Sequence, residues 1–301
     1  MGTLSTLPSA GLGGRDLLRI SDLAPGEAEG ILDLATQLKE NPKEPLFPGA
    51  TLGLYFAKHS TRTRVSFTVA MTHLGGSAVA LTPDELQLSR GESLPDTARA
   101  LSGYLDVLAV RTHAHEELEA WAEWASIPVI NALTADEHPC QALADALTIR
   151  DRLGSLEGAR VAWVGDGSNV LTSLAELGKL LGYEVVAACP PGYASTSLSQ
   201  STLHDPLEAV AGADVVVTDT WISMGQEHER ARRLQDLAPY RLDDALLALA
   251  SPDVFVMHCL PAHPGEEITA EVLYGERSAI WAEAENRLHV QKALLTLLLG
   301  A

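Results

Sequence analysis

The sequence predicts two doubly wound α/β domains, each with a central, mainly parallel sheet flanked by helices. Three observations carry that expectation. Short apolar runs of strand length alternate with segments of helical apolar period, the pattern of successive βαβ units. A break at Gly154-Ser155-Leu156-Glu157-Gly158 separates two such series. The 301 residues exceed one small core, and abundant Ala and Leu with only 5% aromatic residues suit a helix-rich α/β protein.

Residues 16–40 read as a helix, starting near Ser21-Asp22-Leu23-Ala24-Pro25, with Ile31, Leu32, Leu34 and Leu38 at helical spacing. Thr51–Phe56 is a short apolar strand. It runs into His59-Ser60-Thr61-Arg62-Thr63-Arg64-Val65-Ser66-Phe67, where Ser60 is the expected N-cap and Val65, Val69 and Leu74 are expected to face a core. Hydroxyls and two guanidinium groups therefore crowd the first turn of a helix. Backbone N–H groups there lack partners and the helix dipole favours negative charge, so cations in that turn are unfavourable unless an anion sits between them. The stretch reads as an anion cradle.

A second strand, Ser77–Leu81, follows the Gly75-Gly76 break, and the polar loop Asp84–Ser93 leads into a helix entered at Ser93. Val107–Val110 is a buried strand that delivers Arg111 at its C-terminal end, where ligands lie in open α/β sheets. A helix from Ala114 to Ala125 and a strand Pro128–Asn131 repeat the pattern. His138-Pro139-Cys140-Gln141 then stand at the entrance of a helix whose apolar period runs from Ala142 to Leu153.

The second series opens at Arg160–Val170. Gly165 and Gly167 have the spacing of a dinucleotide fingerprint, but Val170 occupies the third glycine and the strand Glu184–Ala188 runs into Cys189-Pro190 with no acidic ribose ligand. Nucleotide binding is disfavoured. Strands Val215–Thr218 and Val254–Met257 deliver Asp219-Thr220-Trp221-Ile222-Ser223-Met224-Gly225 and His258-Cys259-Leu260-Pro261, and Arg287–Leu299 reads as an amphipathic final helix.

A formal net charge of -19 disfavours nucleic acid and anionic membranes as partners. No apolar run has transmembrane length and the first residues lack a signal-peptide core, so a cytoplasmic protein is expected. Cys140, Cys189 and Cys259, odd in number and far apart, match neither a disulfide framework nor a zinc spacing.

Together these stretches resemble the carbamoyltransferase family, and within it the branch that uses ornithine. Ser60-Thr61-Arg62-Thr63-Arg64 and His138-Pro139-x-Gln141 are similar to the family's broad markers, shared with the aspartate branch. Asp219-x-x-x-Ser223-Met224-Gly225, His258-Cys259-Leu260-Pro261 and Glu283-Ala284-Glu285-Asn286-Arg287-Leu288-His289 resemble the ornithine branch, in the family's order over nearly the whole chain. Pro264, which follows Ala262-His263, departs from it, where the family often carries a basic residue.

The resemblance implies transfer of the carbamoyl group of carbamoyl phosphate to the δ-amine of L-ornithine, giving L-citrulline and phosphate in arginine biosynthesis, with no metal and no organic cofactor. It implies a carbamoyl phosphate-binding domain at 1–137, with helix 287–301 packing back on it, and an ornithine-binding domain at 138–286. Ser60, Thr61, Arg62 and Thr63 would hold the phosphate with Arg111, while His138, Gln141 and Thr63 address the carbonyl and amide, with Pro139 and Cys140 in the same turn. Gln87 would reach a neighbouring subunit's site, which implies a homotrimer or a multiple of trimers with shared sites. Arg287, Cys259 and the Leu260 carbonyl would complete the carbamoyl phosphate contacts.

For ornithine, the resemblance implies Asn169 and the Met224 backbone on the α-carboxylate, and Asp219 and Ser223 on the α-ammonium. Cys259 would lie near the δ-nitrogen as its candidate proton acceptor. The implied catalytic residues are Arg62, Arg111, His138, Gln141, Asp219 and Cys259. Rival amines are putrescine, N-acetylornithine and aspartate, although Asp219 with the Ser223-Met224-Gly225 loop favours a free α-amino acid bearing an amine tail. The rival from another class is a phosphate-ligand-binding protein on this fold without turnover.

Overall fold

The computed structural model describes residues 11–195, 198, 202–223 and 226–300. The chain divides into two compact units, Met1–Leu147 with Asn286–Ala301, and Thr148–Glu285. The first contains α1 (Pro25–Glu40), β1 (Thr51–Phe56), α2 (Arg62–His73), β2 (Ser77–Leu81), α3 (Leu94–Ser102), β3 (Val107–Arg111), α4 (His115–Trp124), β4 (Val129–Leu133) and the start of α5 (Pro139–Leu153). The second contains β5 (Arg160–Val164), α6 (Asn169–Leu181), β6 (Glu184–Ala188), α7 (Pro206–Val210), β7 (Val215–Thr218), α8 (Arg230–Leu237), α9 (Asp244–Leu247), β8 (Phe255–His258) and α10 (Ala270–Tyr274). The last helix, α11 (Ile280–Leu299), begins in the second unit's sequence and ends in the first's.

Each unit has one four-stranded parallel sheet, in the orders β2-β1-β3-β4 and β6-β5-β7-β8. The predicted pair of doubly wound domains is therefore present. The chain leaves β1 on one side and returns to β3 on the other, and β5 and β7 do the same. These are the switch points outside which ligands bind in such sheets. In the first unit, Leu52, Leu54 and Val107 to Val110 are buried, as are Phe67 and Met71 of α2, and Leu108 and Val110 pack with Leu118 and Trp121 of α4. In the second, Ala162, Val164, Val216 and Val256 pack with Leu246, Ile268 and Val272.

Several boundaries differ from the sequence expectation, each for a physical reason. The segment 16–24 is not α-helix: Ile20–Asp22 is a 3-10 turn, Leu17 bridges to Ile130, and α1 begins at Pro25. Proline lacks the N–H that a helix interior needs but fits the first helical position. For the same reason α5 begins at Pro139, ahead of Ala142. On α2 the buried positions are Thr63, Phe67, Ala70 and Met71, while Val65 is 52% exposed. The bulkier pair Phe67 and Met71, one turn apart, takes the core and turns Val65 outward. Finally, α11 starts at Ile280, so the stretch from Glu283 to His289 is helical and not a loop before the helix.

Lys292 on α11 is 1% exposed, and its ammonium donates to the Leu38 and Pro42 carbonyl oxygens near the end of α1. It thereby satisfies carbonyls that a helix end leaves open. Burial lowers its pKa from 10.5 to about 8. Because the folded value is depressed, the charged form is penalised only in the folded state. Stability should therefore rise as the pH climbs from about 8 to 10.5, where the unfolded chain holds the additional proton. Lys292→Met should flatten that rise in urea unfolding compared across the interval; parallel profiles for the two proteins would refute the buried charge.

Candidate active site

At the switch point of the first unit, β1 and β3 end side by side, with Phe56 paired to Arg111. A register shift against β4 falls between Val110 and Arg111, a local irregularity that redirects the strand mouth. Arg111 Nη1 donates to Ser60 Oγ at 3.4 Å, and Arg287 Nη2 donates to Thr63 Oγ1 at 2.5 Å. Arg62 Nε is buried with no hydrogen-bond partner among the described residues. Such a donor is costly unless something else meets it.

Ser60 is not the cap of α2. Thr61 holds that position and makes no side-chain cap, so the first-turn N–H groups are left to a ligand or solvent. Arg64 is exposed. The other guanidinium groups that touch the Ser60–Thr63 stretch are therefore Arg111 and Arg287, delivered from β3 and α11.

At the mouth of β4, the entrance of α5 presents His138 and Gln141, both buried. Burial, then the Arg287 and Arg111 charges, hold the His138 imidazolium well below the usual value of 6.5, so the ring is neutral at pH 7. Gln141 Nε2 donates to Asp145 Oδ1 at 2.8 Å, one turn along the helix. The Cys140 thiol faces the Asn131 carbonyl oxygen at 3.5 Å, and burial pushes its pKa up to about 12. It is a packed thiol, and Pro139 and Cys140 are both buried at the start of α5. Gln87 is exposed on the 3-10 turn Gln87–Arg90.

The second unit gathers a different set. Asp219, 7% exposed, follows β7, and its Oδ1 accepts from Cys259 Sγ at 3.0 Å and from the Thr220 N–H at 2.7 Å. Its Oδ2 accepts from Ser168 Oγ at 3.5 Å. Asn169 is the first residue of α6, and Ser223 donates its backbone N–H to Gln226 Oε1 at 3.2 Å. Met224 lies outside the described residues. Leu260 adopts a left-handed φ of 59°, a conformation that costs a branched residue ~1–3 kcal/mol. It is held by His258 Nδ1, which accepts the Leu260 N–H at 2.9 Å.

Sequence reasoning gave no role to the groups beneath these. His258 Nε2 faces Glu267 Oε1 at 3.2 Å, while the His258 N–H donates to Glu283 Oε2 at 2.8 Å. Arg233, 6% exposed, joins two loops: it pairs with Asp166 and donates Nε to the Trp221 carbonyl at 2.6 Å. Burial outweighs that guanidinium and holds the Asp166 carboxyl up at about 6. Gly167 is required because a Cβ there would collide with the backbone from Tyr193 to Ser195. Asp145 was findable, since i and i+4 share a helix face. Glu267 and Arg233 carry no local spacing signal toward their partners.

Comparison with known proteins follows the same division. The family model described as aspartate/ornithine carbamoyltransferase, carbamoyl-P binding domain, matches residues 15–151. The one described as aspartate/ornithine carbamoyltransferase, Asp/Orn binding domain, matches residues 157–298. The chain is 52% identical to the ornithine carbamoyltransferase of Carboxydothermus hydrogenoformans, over 95% of this chain and 98% of that one. It is similar to the solved ornithine carbamoyltransferase of Pyrococcus furiosus, at 45% identity and a TM-score of 0.92, over 96% of this chain and 98% of that one. The structure from Thermus thermophilus gives 43% identity and a TM-score of 0.88, over 97% and 100%.

Proposed function

Because the chain belongs to the aspartate/ornithine carbamoyltransferase family, we propose that it transfers the carbamoyl group of carbamoyl phosphate to the δ-amine of L-ornithine, giving L-citrulline and phosphate in arginine biosynthesis. The observation that carries the choice of amine is the buried Asp219 carboxylate with the Cys259 thiol and Ser168 hydroxyl on its oxygens. A carboxylate so placed attracts an ammonium group and repels the second carboxylate of aspartate.

In the first unit, residues Ser60, Thr61, Arg62 and Thr63 with Arg111 take the phosphate, helped by the uncapped first turn of α2. Guanidinium forks suit that work because they meet phosphate oxygens bidentately. Neutral His138, Gln141, Thr63 and Arg287 address the carbonyl and amide, with the backbone of Pro139 and Cys140 beside them. A neutral imidazole N–H donates to a developing oxyanion without having to shed a charge first. In the second unit, Asn169 and Met224 take the α-carboxylate, and Asp219 and Ser223 the α-ammonium. Cys259 and the Leu260 carbonyl stand by the reacting groups.

The δ-ammonium loses a proton before it can attack, and desolvation favours its neutral form. Direct attack by the δ-nitrogen on the carbonyl carbon then forms a tetrahedral intermediate whose oxyanion Thr63, Arg111 and His138 stabilise; its collapse breaks the bond from that carbon to the phosphate oxygen, and phosphate leaves. Donors of this kind contribute ~2.7–4 kcal/mol each, and holding two reactants in place adds ~7–11 kcal/mol. No covalent enzyme intermediate is required. Gln87, exposed on its turn, serves a neighbouring subunit's site in a trimer. The protein works in the cytoplasm, in keeping with three free thiols; among the described residues no helix is long and apolar enough to cross a membrane.

One assay tests the substrate assignment: citrulline formation with ornithine compared with carbamoylation of putrescine, N-acetylornithine and aspartate under the same conditions. Ornithine should be preferred by about two orders of magnitude or more, because a site built to pair a polar group rejects analogues that leave it unpaired. Equal or better turnover of any rival would overturn the assignment, and no turnover of all four would favour a binding protein.

A further inference from the structure

His263, Glu266 and Glu267, on the segment that follows β8, each offer a ligand atom within 4.8 Å of the others. We propose that these three residues bind a divalent transition-metal cation, such as zinc, at a site separate from the groups assigned to the transfer reaction.

The two carboxylates are each held by one oxygen. Glu266 Oε1 pairs with Arg230, and Glu267 Oε1 accepts from His258 Nε2 at 3.2 Å and from the His263 backbone N–H. The remaining oxygen of each, Oε2, is buried and has no hydrogen-bond partner among the described residues. Glu267 is fully buried, so its bare oxygen carries a desolvation cost that no donor offsets. His263 Nδ1, in hydrogen-bond contact with Thr220 Oγ1 at 3.3 Å, lies 3.6 Å from Glu267 Oε2, too far for a hydrogen bond. That separation suits two ligands of one cation, since bonds of roughly 2.0–2.2 Å at tetrahedral angles place ligand atoms roughly 3.3–3.6 Å apart.

One imidazole nitrogen and two carboxylate oxygens are a zinc-type donor set that leaves a position for water. The outer contacts that such ligands need are already in place: Arg230 on Glu266 and His258 on Glu267. The neighbouring trio Asp219, His258 and Cys259 is equally compact but is spoken for. His258 Nδ1 accepts the Leu260 N–H, its Nε2 faces Glu267, and the Cys259 thiol faces Asp219. A cation at His263, Glu266 and Glu267 would tie down the chain from Leu260 to Glu267, and His263 Nδ1 lies 3.3 Å from Thr220 Oγ1 beside Asp219.

The test uses the full-length enzyme stripped of metal, with zinc chloride in equilibrium dialysis and cobalt chloride in visible spectroscopy. Wild type and Cys259→Ser should both bind zinc stoichiometrically. His263→Ala and Glu266→Gln, folded by circular dichroism, should bind about tenfold more weakly or worse. The cobalt adduct should lack a thiolate charge-transfer band. No stoichiometric binding by the wild type would overturn the proposal. So would binding that survives His263→Ala but is lost in Cys259→Ser, or a thiolate band in the cobalt spectrum.

Discussion

Arg62→Leu should lower kcat/KM for carbamoyl phosphate by about 10²–10³-fold, corresponding to ~2.7–4 kcal/mol of lost transition-state stabilisation. The same substitution should leave folding stability unchanged or slightly raised, because the buried Nε has no hydrogen-bond partner among the described residues to lose. That combination separates a ligand-binding arginine from a structural one. Arg64→Leu is the internal control: Arg64 sits two positions along the same helix but is exposed, so its change should fall within about 0.5 kcal/mol. Steady-state kinetics with carbamoyl phosphate varied, together with thermal unfolding of both variants, provide the measurement. Near-normal turnover by Arg62→Leu, or equal losses in the two variants, would remove the cradle from α2.

The contrast between Arg62 and Arg64 also shows where the sequence stops being legible. Helix-end physics points to a candidate anion site behind β1, and the short apolar runs and helical patterns place the strands that feed it; both sheets form from those runs. Which arginines face the anion depends on the rotation of α2 about its axis. That rotation is set by Phe67 and Met71 competing for the core against Val65, a contest between side-chain volumes that local spacing cannot decide. Arg287 lies far along the chain from Thr63, and only the fold brings the two together. Likewise Asp219 and Cys259 are legible as strand-end residues, yet the thiol–carboxylate contact between them depends on β7 and β8 being neighbours. The network of His258, Glu267 and Glu283 is invisible in the sequence for the same reason, since tertiary packing alone aligns its donors with its acceptors.

Asp219→Asn should weaken ornithine recognition by about 10²–10⁴-fold, the effect of removing one partner from a buried charge-assisted pair worth ~3–5 kcal/mol. The loss should appear in the ornithine dependence of the rate, while carbamoyl phosphate binding, measured by calorimetry without ornithine, stays unchanged. The amide keeps an oxygen that can accept from Cys259 and from the Thr220 N–H, so the loop geometry persists and the missing quantity is the negative charge. Cys259→Ser sharpens the reading, because a hydroxyl can still donate to Asp219. If the thiol only positions and exchanges protons with the amine, Cys259→Ser should retain measurable turnover and lose less than Asp219→Asn. If Cys259 were the nucleophile, its replacement would abolish turnover, and a carbamoylated enzyme would accumulate in the wild type when ornithine is withheld. Retained activity in Cys259→Ser, combined with a collapse of ornithine binding in Asp219→Asn, assigns the work of the second unit to charge and position. An unchanged ornithine dependence in Asp219→Asn would take the ammonium away from that carboxylate.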